Sequence, residues 1–263
     1  WVEFDLDGSV AAGTYPCAIT LVDGLGNEVA KESFEVRVIG ASLPEQELIL
    51  TQWFHTDCLA NYYRVDAWSE EHWRIVENFA ATAKKNGINL LLTPIFTPAL
   101  DTTVGGERTT VQLIDVCKNG DTYSFGYDKL DRWIDMCDRV GIKYFEIAHL
   151  FTQWGAAPAP KVMATVDGEY KKIFGWETEA AGKDYSTFLR TFLPDFLAHM
   201  KARGDDKRCY FHISDEPSFT KHRESYEAAR AVVADLLEGY VMMDALSNIQ
   251  FYETGLVQTP IPA

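Results

Sequence analysis

From Leu48 onward the chain repeats one unit: a short apolar run, then a longer stretch whose apolar residues recur at helical spacing. The apolar runs are residues 48–54, 88–93, 142–148 and 208–214. Runs as continuous as Leu90, Leu91 and Leu92 suit strands covered on both faces, the condition of a parallel sheet. Strand-then-helix repetition narrows the folds sharply, because parallel neighbours need long crossovers and helices usually supply them. The helices carry end signals as well as stripes. Ser69 can cap a helix that opens with Glu70 and Glu71, shows Trp73, Val76, Phe79, Ala80 and Ala83 on one face, and closes at Asn86 and Gly87. Residues 128–140 stop at Gly141. A third helix carries Tyr185, Phe188, Leu189, Phe192, Phe196 and Leu197, with a kink predicted at Pro194. A fourth spans residues 222–238. Between the second strand and its helix, residues 111–116 and 122–125 flank Asn119 and Gly120, which predicts a hairpin in that loop.

Neither GxGxxG nor GxxxxGK[ST] follows the first strand, so dinucleotide and P-loop folds lose their main marker. The expected fold is therefore α/β, a (β/α)8-type barrel over residues 48–263. Weaker candidates at 241–246 and 259–263 bring the strands to six of the eight required, so the barrel is expected to be incomplete at its C-terminal end. Residues 1–40 alternate differently. Runs at 2–6, 17–22 and 34–39, with turns at Asp23, Gly24, Gly26 and Asn27, read as the C-terminal part of a β-sandwich. Residues 41–47, with Pro44, form the linker.

The net charge of −15 and pI near 4.8 argue against a nucleic-acid partner, which needs clustered Lys and Arg, and against anionic membrane surfaces. No apolar run reaches the roughly 18 residues of a membrane span. The five cysteines are scattered without CxxC spacing. Reduced thiols are expected, which leans the location toward the cytoplasm. Secretion stays open, since the chain begins without an initiator Met. No His, Cys and carboxylate set has metal-ligand spacing, so neither a catalytic metal nor a cofactor is expected. Oligomeric state is left open.

In a barrel, residues just past each strand meet at one mouth. That brings together His55 and Asp57, then His149, Gln153 and Trp154, then Asp215 and Glu216, then Asp244. Carboxylates, histidines and indoles in one place suit sugars: rings stack on sugar faces while carboxylates hold hydroxyls. Adjacent carboxylates repel and push one pKa up, which is what protonating a glycosidic oxygen requires. Asp, Glu and Pro217 are equally what a helix N-terminus favours. Trp176, on a long loop, is a candidate cover for the pocket. Asp101 and Arg108 are expected to pair and fix the hairpin loop.

Several longer motifs point to a family. They are residues 53–58 (WFHTDC), 92–98 (LTPIFTP) with Leu100 and Asp101, 107–116 (ERTTVQLIDV), 149–155 (HLFTQWG), 174–176 (FGW), 212–217 (HISDEP) and 244–247 (DALS). With these the second region resembles glycoside hydrolase family 123 and related barrel proteins. The resemblance implies a retaining β-N-acetylgalactosaminidase acting on a glycan or glycoconjugate by substrate assistance, through an oxazolinium intermediate. It places the acid/base on Glu216 and the acetamido-orienting carboxylate on Asp215. His55, Asp57, His149, Gln153, Trp154, Trp176 and Asp244 are the substrate-binding candidates. A non-catalytic carbohydrate-binding barrel and a glycosidase for a sugar without an acetamido group remain the alternatives.

Overall fold

In the computed structural model, which describes residues 2–6 and 8–262, the chain divides into two units, Trp1–Glu47 and Leu48–Ala263. The first unit is a ribbon. β1 (Gly13–Val22) pairs antiparallel with β2 (Glu28–Val38), from Gly13 opposite Val38 to Leu21 opposite Ala30. Asp23 organises the turn, because its Oδ1 accepts from the backbone N–H of Leu25 and Asn27 at 2.8 and 2.9 Å. The expected sandwich piece is corrected on two counts. Residues 2–6 form no strand, and the sheet has two strands rather than three. Alternation along 2–6 has no partner strand to give it meaning; Trp1 lies outside the described residues.

The second unit opens with β3 (Thr51–Gln52), α1 (Thr56–Tyr63), α2 (Glu70–Lys85) and β4 (Leu90–Thr93). Ser69 caps α2 by accepting from the N–H of His72 at 3.3 Å. The hairpin β5 (Asp115–Asn119) and β6 (Thr122–Gly126) leads into α3 (Asp128–Val140), which ends at Gly141 with φ +86°. After β7 (Tyr144–Ile147) comes a second hairpin, β8 (Val162–Val166) and β9 (Glu169–Phe174). It turns at Asp167 and Gly168, a signal the sequence offered and the strand reading passed over. Then follow α4 (Lys183–Arg203), which runs across Pro194, β10 (Cys209–Phe211), α5 (Phe219–Val233), β11 (Val241–Leu246), α6 (Gln250–Glu253) and β12 (Thr259–Pro262). Ala263, included in the expected last strand, lies outside the described residues.

Six strands form one parallel sheet in the order β12-β11-β10-β7-β4-β3. The expected (β/α)8-type barrel is therefore corrected. The sheet is open and curled, a half-barrel, with β3 and β12 at its two edges. Periodicity reports repeated βα units, whereas closure depends on strand number and stagger, which no local pattern encodes. The hairpins form a separate four-stranded sheet, β6-β5-β8-β9.

The core lies where α4 meets the sheet and hairpins. Phe188, Phe192 and Phe196 recur at every fourth position of α4, are fully buried, and meet Phe96 and Phe211. On α2 the inward face is Trp73, Val76 and Ala80, but Phe79, expected there too, is 43% exposed. Its register turns it away from the core, and the ring of Tyr63 meets it edge-on, at 6.3 Å.

These two phenylalanines should separate in denaturation. Phe192→Ala empties a filled site and is expected to cost about 3–5 kcal/mol, whereas Phe79→Ala should cost under about 1 kcal/mol. Equal losses in urea unfolding would contradict this assignment of the core.

Candidate functional site

Because all six strands run the same way, their C-terminal ends line one edge of the sheet. Two segments past that edge are stapled together there. After β7, the N–H of Trp154 donates to Asp215 O at 2.8 Å, and the N–H of Gly155 donates to Ser214 Oγ at 3.1 Å. Ser214 Oγ in turn donates to Thr152 O at 3.0 Å, and the N–H of Glu216 donates to Ala245 O at 3.1 Å. These bonds hold an uncommon backbone: Glu216 sits at φ +40° and Trp154 at φ +58°. Left-handed conformations of non-glycine residues cost energy and persist only where the surroundings enforce them. Gly155, at φ +113°, is needed as glycine, since a Cβ there would fall 2.5 Å from His222 Cβ.

The result is a carboxylate pair in contrasting surroundings. Asp215 is buried, and its Oδ1 has no hydrogen-bond partner. Glu216 is exposed. Burial, followed by the charge of Glu216, pushes the Asp215 carboxyl up to about 7, against the opposing pull of His212. The raised member is thus Asp215, not the residue expected to act as acid. Near neutral pH the Asp215 carboxyl is therefore poised between its protonated and ionised forms.

A buried polar chain crosses the sheet next to this pair. Glu146, on β7, accepts from Thr51 Oγ1 and, at 3.0 Å, from Trp53 Nε1. His212 Nε2 lies 2.9 Å from Glu146 Oε1, off the straight line a hydrogen bond prefers. His212 Nδ1 donates to Asp244 Oδ1 at 3.2 Å. That same oxygen accepts from the N–H of Ile213 and Ser214 at 3.0 and 3.2 Å, and Tyr226 donates its hydroxyl to Asp244 Oδ2. Burial alone would lower the His212 pKa, but Asp244 and Glu146 outweigh it and push it up to about 9. His149 stacks on His212 with ring centres 4.2 Å apart. Its two nitrogens are buried without partners, and burial and then the His212 charge hold it well below its ordinary value, so it is neutral.

His149, His212 and Asp244 offer ligand atoms within 4.8 Å of one another. The donor chemistry does not fit a metal. Both nitrogens of His212 already face carboxylates, and both oxygens of Asp244 already accept from protein donors.

The other expected residues divide by what holds them. Asp57 is held by Arg108, which grips both its oxygens, at 2.9 and 3.1 Å. Asp101 pairs instead with His55 Nε2 at 2.9 Å, so the expected Asp101–Arg108 pair is replaced by two others. Sequence proximity suggested the first arrangement, but α1 brings Asp57 to Arg108 across a gap of 51 residues. Gln153 bridges the Asp101 N–H and the Thr102 carbonyl, at 3.0 and 2.6 Å. Trp154 is 45% exposed, a free aromatic face beside Asp215. Trp176 donates to Gly106 O at 2.8 Å, which anchors it to the 106–108 loop rather than to the carboxylate pair. Asp244 supports the 212–215 turn. Glu146, Thr51, Trp53 and Tyr226 were not anticipated. The usable signal was Glu146 itself, a lone charge inside an apolar strand, which must be paired when buried. Two hollows of the second unit, about 600 Å³ by Lys171 and about 490 Å³ by Trp68, are lined by none of these residues. The pair is located by its chemistry, not by cavity size.

A family model described as "Glycoside hydrolase 123, catalytic domain" matches residues 53–263. No curated protein matches the chain.

The staple can be tested at its glycine. Gly155→Ala should cost about 3 kcal/mol, from a strained φ together with a clash. Gly168→Ala, at φ +92° with open space around it, should cost only about 1 kcal/mol. Equal melting-temperature losses would show that the contact with His222 carries no weight.

Proposed function

The chain belongs to glycoside hydrolase family 123, and from that premise we propose that it removes a terminal β-linked N-acetylgalactosamine, or a related 2-acetamido sugar, by substrate assistance. As a glycoside hydrolase it acts on a glycan. The observation that carries the finer reading is the buried, unpartnered Oδ1 of Asp215 beside the exposed carboxyl of Glu216.

A buried acceptor without a donor is costly unless a ligand supplies one. The N–H of a 2-acetamido group is a donor of the right kind. Once it bonds to Oδ1 it favours the ionised form of Asp215. Glu216, exposed, faces the departing oxygen and serves as general acid. The acetamido carbonyl oxygen attacks C1 while the C1–O bond to the leaving group breaks, and Glu216 gives its proton to that oxygen. Positive charge then grows on the oxazolinium ring, and the Asp215 carboxylate stabilises it. Water next attacks C1 from the vacated side and reopens the ring, and Glu216 takes the water's proton. Two inversions give net retention. One carboxylate serves the glycosidic oxygen and the other the internal nucleophile, unlike the acid and protein nucleophile, about 5 Å apart, of ordinary retaining enzymes.

Trp154 supplies the stacking face, and His149, neutral, offers a sugar hydroxyl an uncharged partner. His55, Asp57, Gln153 and Trp176 shape the surrounding loops, and Asp244 shapes the turn that carries the pair.

An aryl β-N-acetylgalactosaminide should be hydrolysed, and the matching aryl β-galactoside at least about 100-fold more slowly, because the second lacks the internal nucleophile. Similar rates on both would sink substrate assistance, and no hydrolysis of either would favour a carbohydrate-binding role.

Glu216→Gln should lower turnover by about 10²–10⁴-fold on substrates with basic leaving groups, and much less on activated aryl glycosides. Equal losses on the two classes would remove Glu216 as the acid. Asp215→Asn should weaken binding of a thiazoline mimic of the intermediate. Unchanged binding of the mimic would remove Asp215 from the mechanism.

A further inference from the structure

Three residues before Asp215, the ring of His212 is enclosed on every side. Glu146 reaches Nε2 from β7, Asp244 takes Nδ1 from β11, and His149 covers one ring face. A ring whose two nitrogens both face carboxylates is best satisfied as the imidazolium, the form with two N–H donors. The same Asp244 oxygen that holds the ring also takes the N–H groups of Ile213 and Ser214, the two residues linking His212 to Asp215. One carboxylate therefore fixes both the histidine and the turn that carries the site.

We infer that His212 is a positioning residue: a buried imidazolium, locked between Glu146 and Asp244, that fixes the turn leading to Asp215 and sets a positive charge against the carboxylates around Asp215. The charged groups around Asp215 make its part clear. Glu216, Asp244 and Asp101 are negative and resist ionisation of Asp215, as does burial; His212 is the cation that opposes them. Without it, three carboxylates and a buried position would hold the proton more firmly on Asp215, removing the negative charge that the oxazolinium requires. The importance for catalysis rests on the roles proposed above for Asp215 and Glu216. The charge state of His212 and its effect on Asp215 do not.

The sign of the effect follows directly. Ionised Asp215 is the stronger acceptor and the form whose charge stabilises the oxazolinium, so kcat/KM falls as pH falls through its pKa. Removing a nearby cation raises that pKa and moves the acidic limb to higher pH.

The test uses the full chain. Imidazole nitrogen shifts in the wild type should show both His212 nitrogens protonated at pH 7, and a neutral ring there overturns the inference. In His212→Gln, the carboxyl-carbon titration of Asp215 should move up by on the order of one pH unit, and the acidic limb of kcat/KM on an aryl β-N-acetylgalactosaminide should move with it. A purely structural role would lower activity without shifting either midpoint, and unshifted midpoints in a folded variant overturn the inference. Where His212→Gln does not fold, Glu146→Gln keeps the ring and its Asp244 anchor. His212 should then lose its proton at lower pH than in the wild type, and an unchanged titration overturns the inference. A shifted Asp215 midpoint in a protein that hydrolyses no acetamido sugar upholds the inference and sinks only the substrate reading.

Discussion

The ion pairs of one buried histidine organise this molecule's chemistry. His212 stands between Glu146 and Asp244 with its side chain almost wholly out of water. Buried charges are tolerable only when paired and hydrogen-bonded, and breaking one partner leaves the other stranded. The surroundings meet that demand almost throughout, Nε2 of His212 being ion-paired with Glu146 off the ideal line. Thr51 and Trp53 serve Glu146, Tyr226 and two backbone N–H groups serve Asp244, and the flat ring of neutral His149 lies over the cation. Strands β3, β7, β10 and β11 are thereby tied at the edge where their loops converge. The carboxylate pair then sits on a turn with little freedom, pinned by Trp154 on one side and Ala245 on the other.

That rigidity accounts for the unusual backbone at Glu216. A glutamate at φ +40° would relax in a free loop. Here its N–H is committed to Ala245 and the preceding carbonyl to Trp154, so relaxation would break both bonds. The strain separates neighbouring side chains that would otherwise share one environment: Asp215 turns into the protein and Glu216 faces solvent. Two chemically similar groups acquire different surroundings through backbone geometry.

Much of this was legible in the chain, and the limits have physical causes. The apolar runs at 88–93, 142–148 and 208–214 announced β4, β7 and β10, because strands buried on both faces leave a continuous signal. Ser69 and Gly141 marked helix ends, because capping is local chemistry. The adjacency of Asp215 and Glu216 was visible for the same reason. What escaped was non-local. Closure of a sheet into a barrel is a property of all its strands at once, and the open six-stranded arrangement overturned that expectation. The partners of Asp101 and Arg108 were misassigned because ion pairs across long gaps follow the fold and not spacing. Strand 48–54 shortened to Thr51–Gln52 because an edge strand has a neighbour on one side only. Glu146 was readable as an anomaly but not as half of a pair, since its partner lies on another strand.

The polar chain joins segments far apart in sequence: Thr51 and Glu146 are separated by 95 residues, and His212 and Asp244 by a further 32. Contacts of such separation form late, after the intervening chain has been ordered. Along the chain, Asp215 and Glu216 precede Asp244. Until residue 244 is in place, His212 lacks one of its two anions and the turn lacks its anchor. The segment that carries the carboxylate pair therefore acquires its full set of partners only once the chain has passed β11.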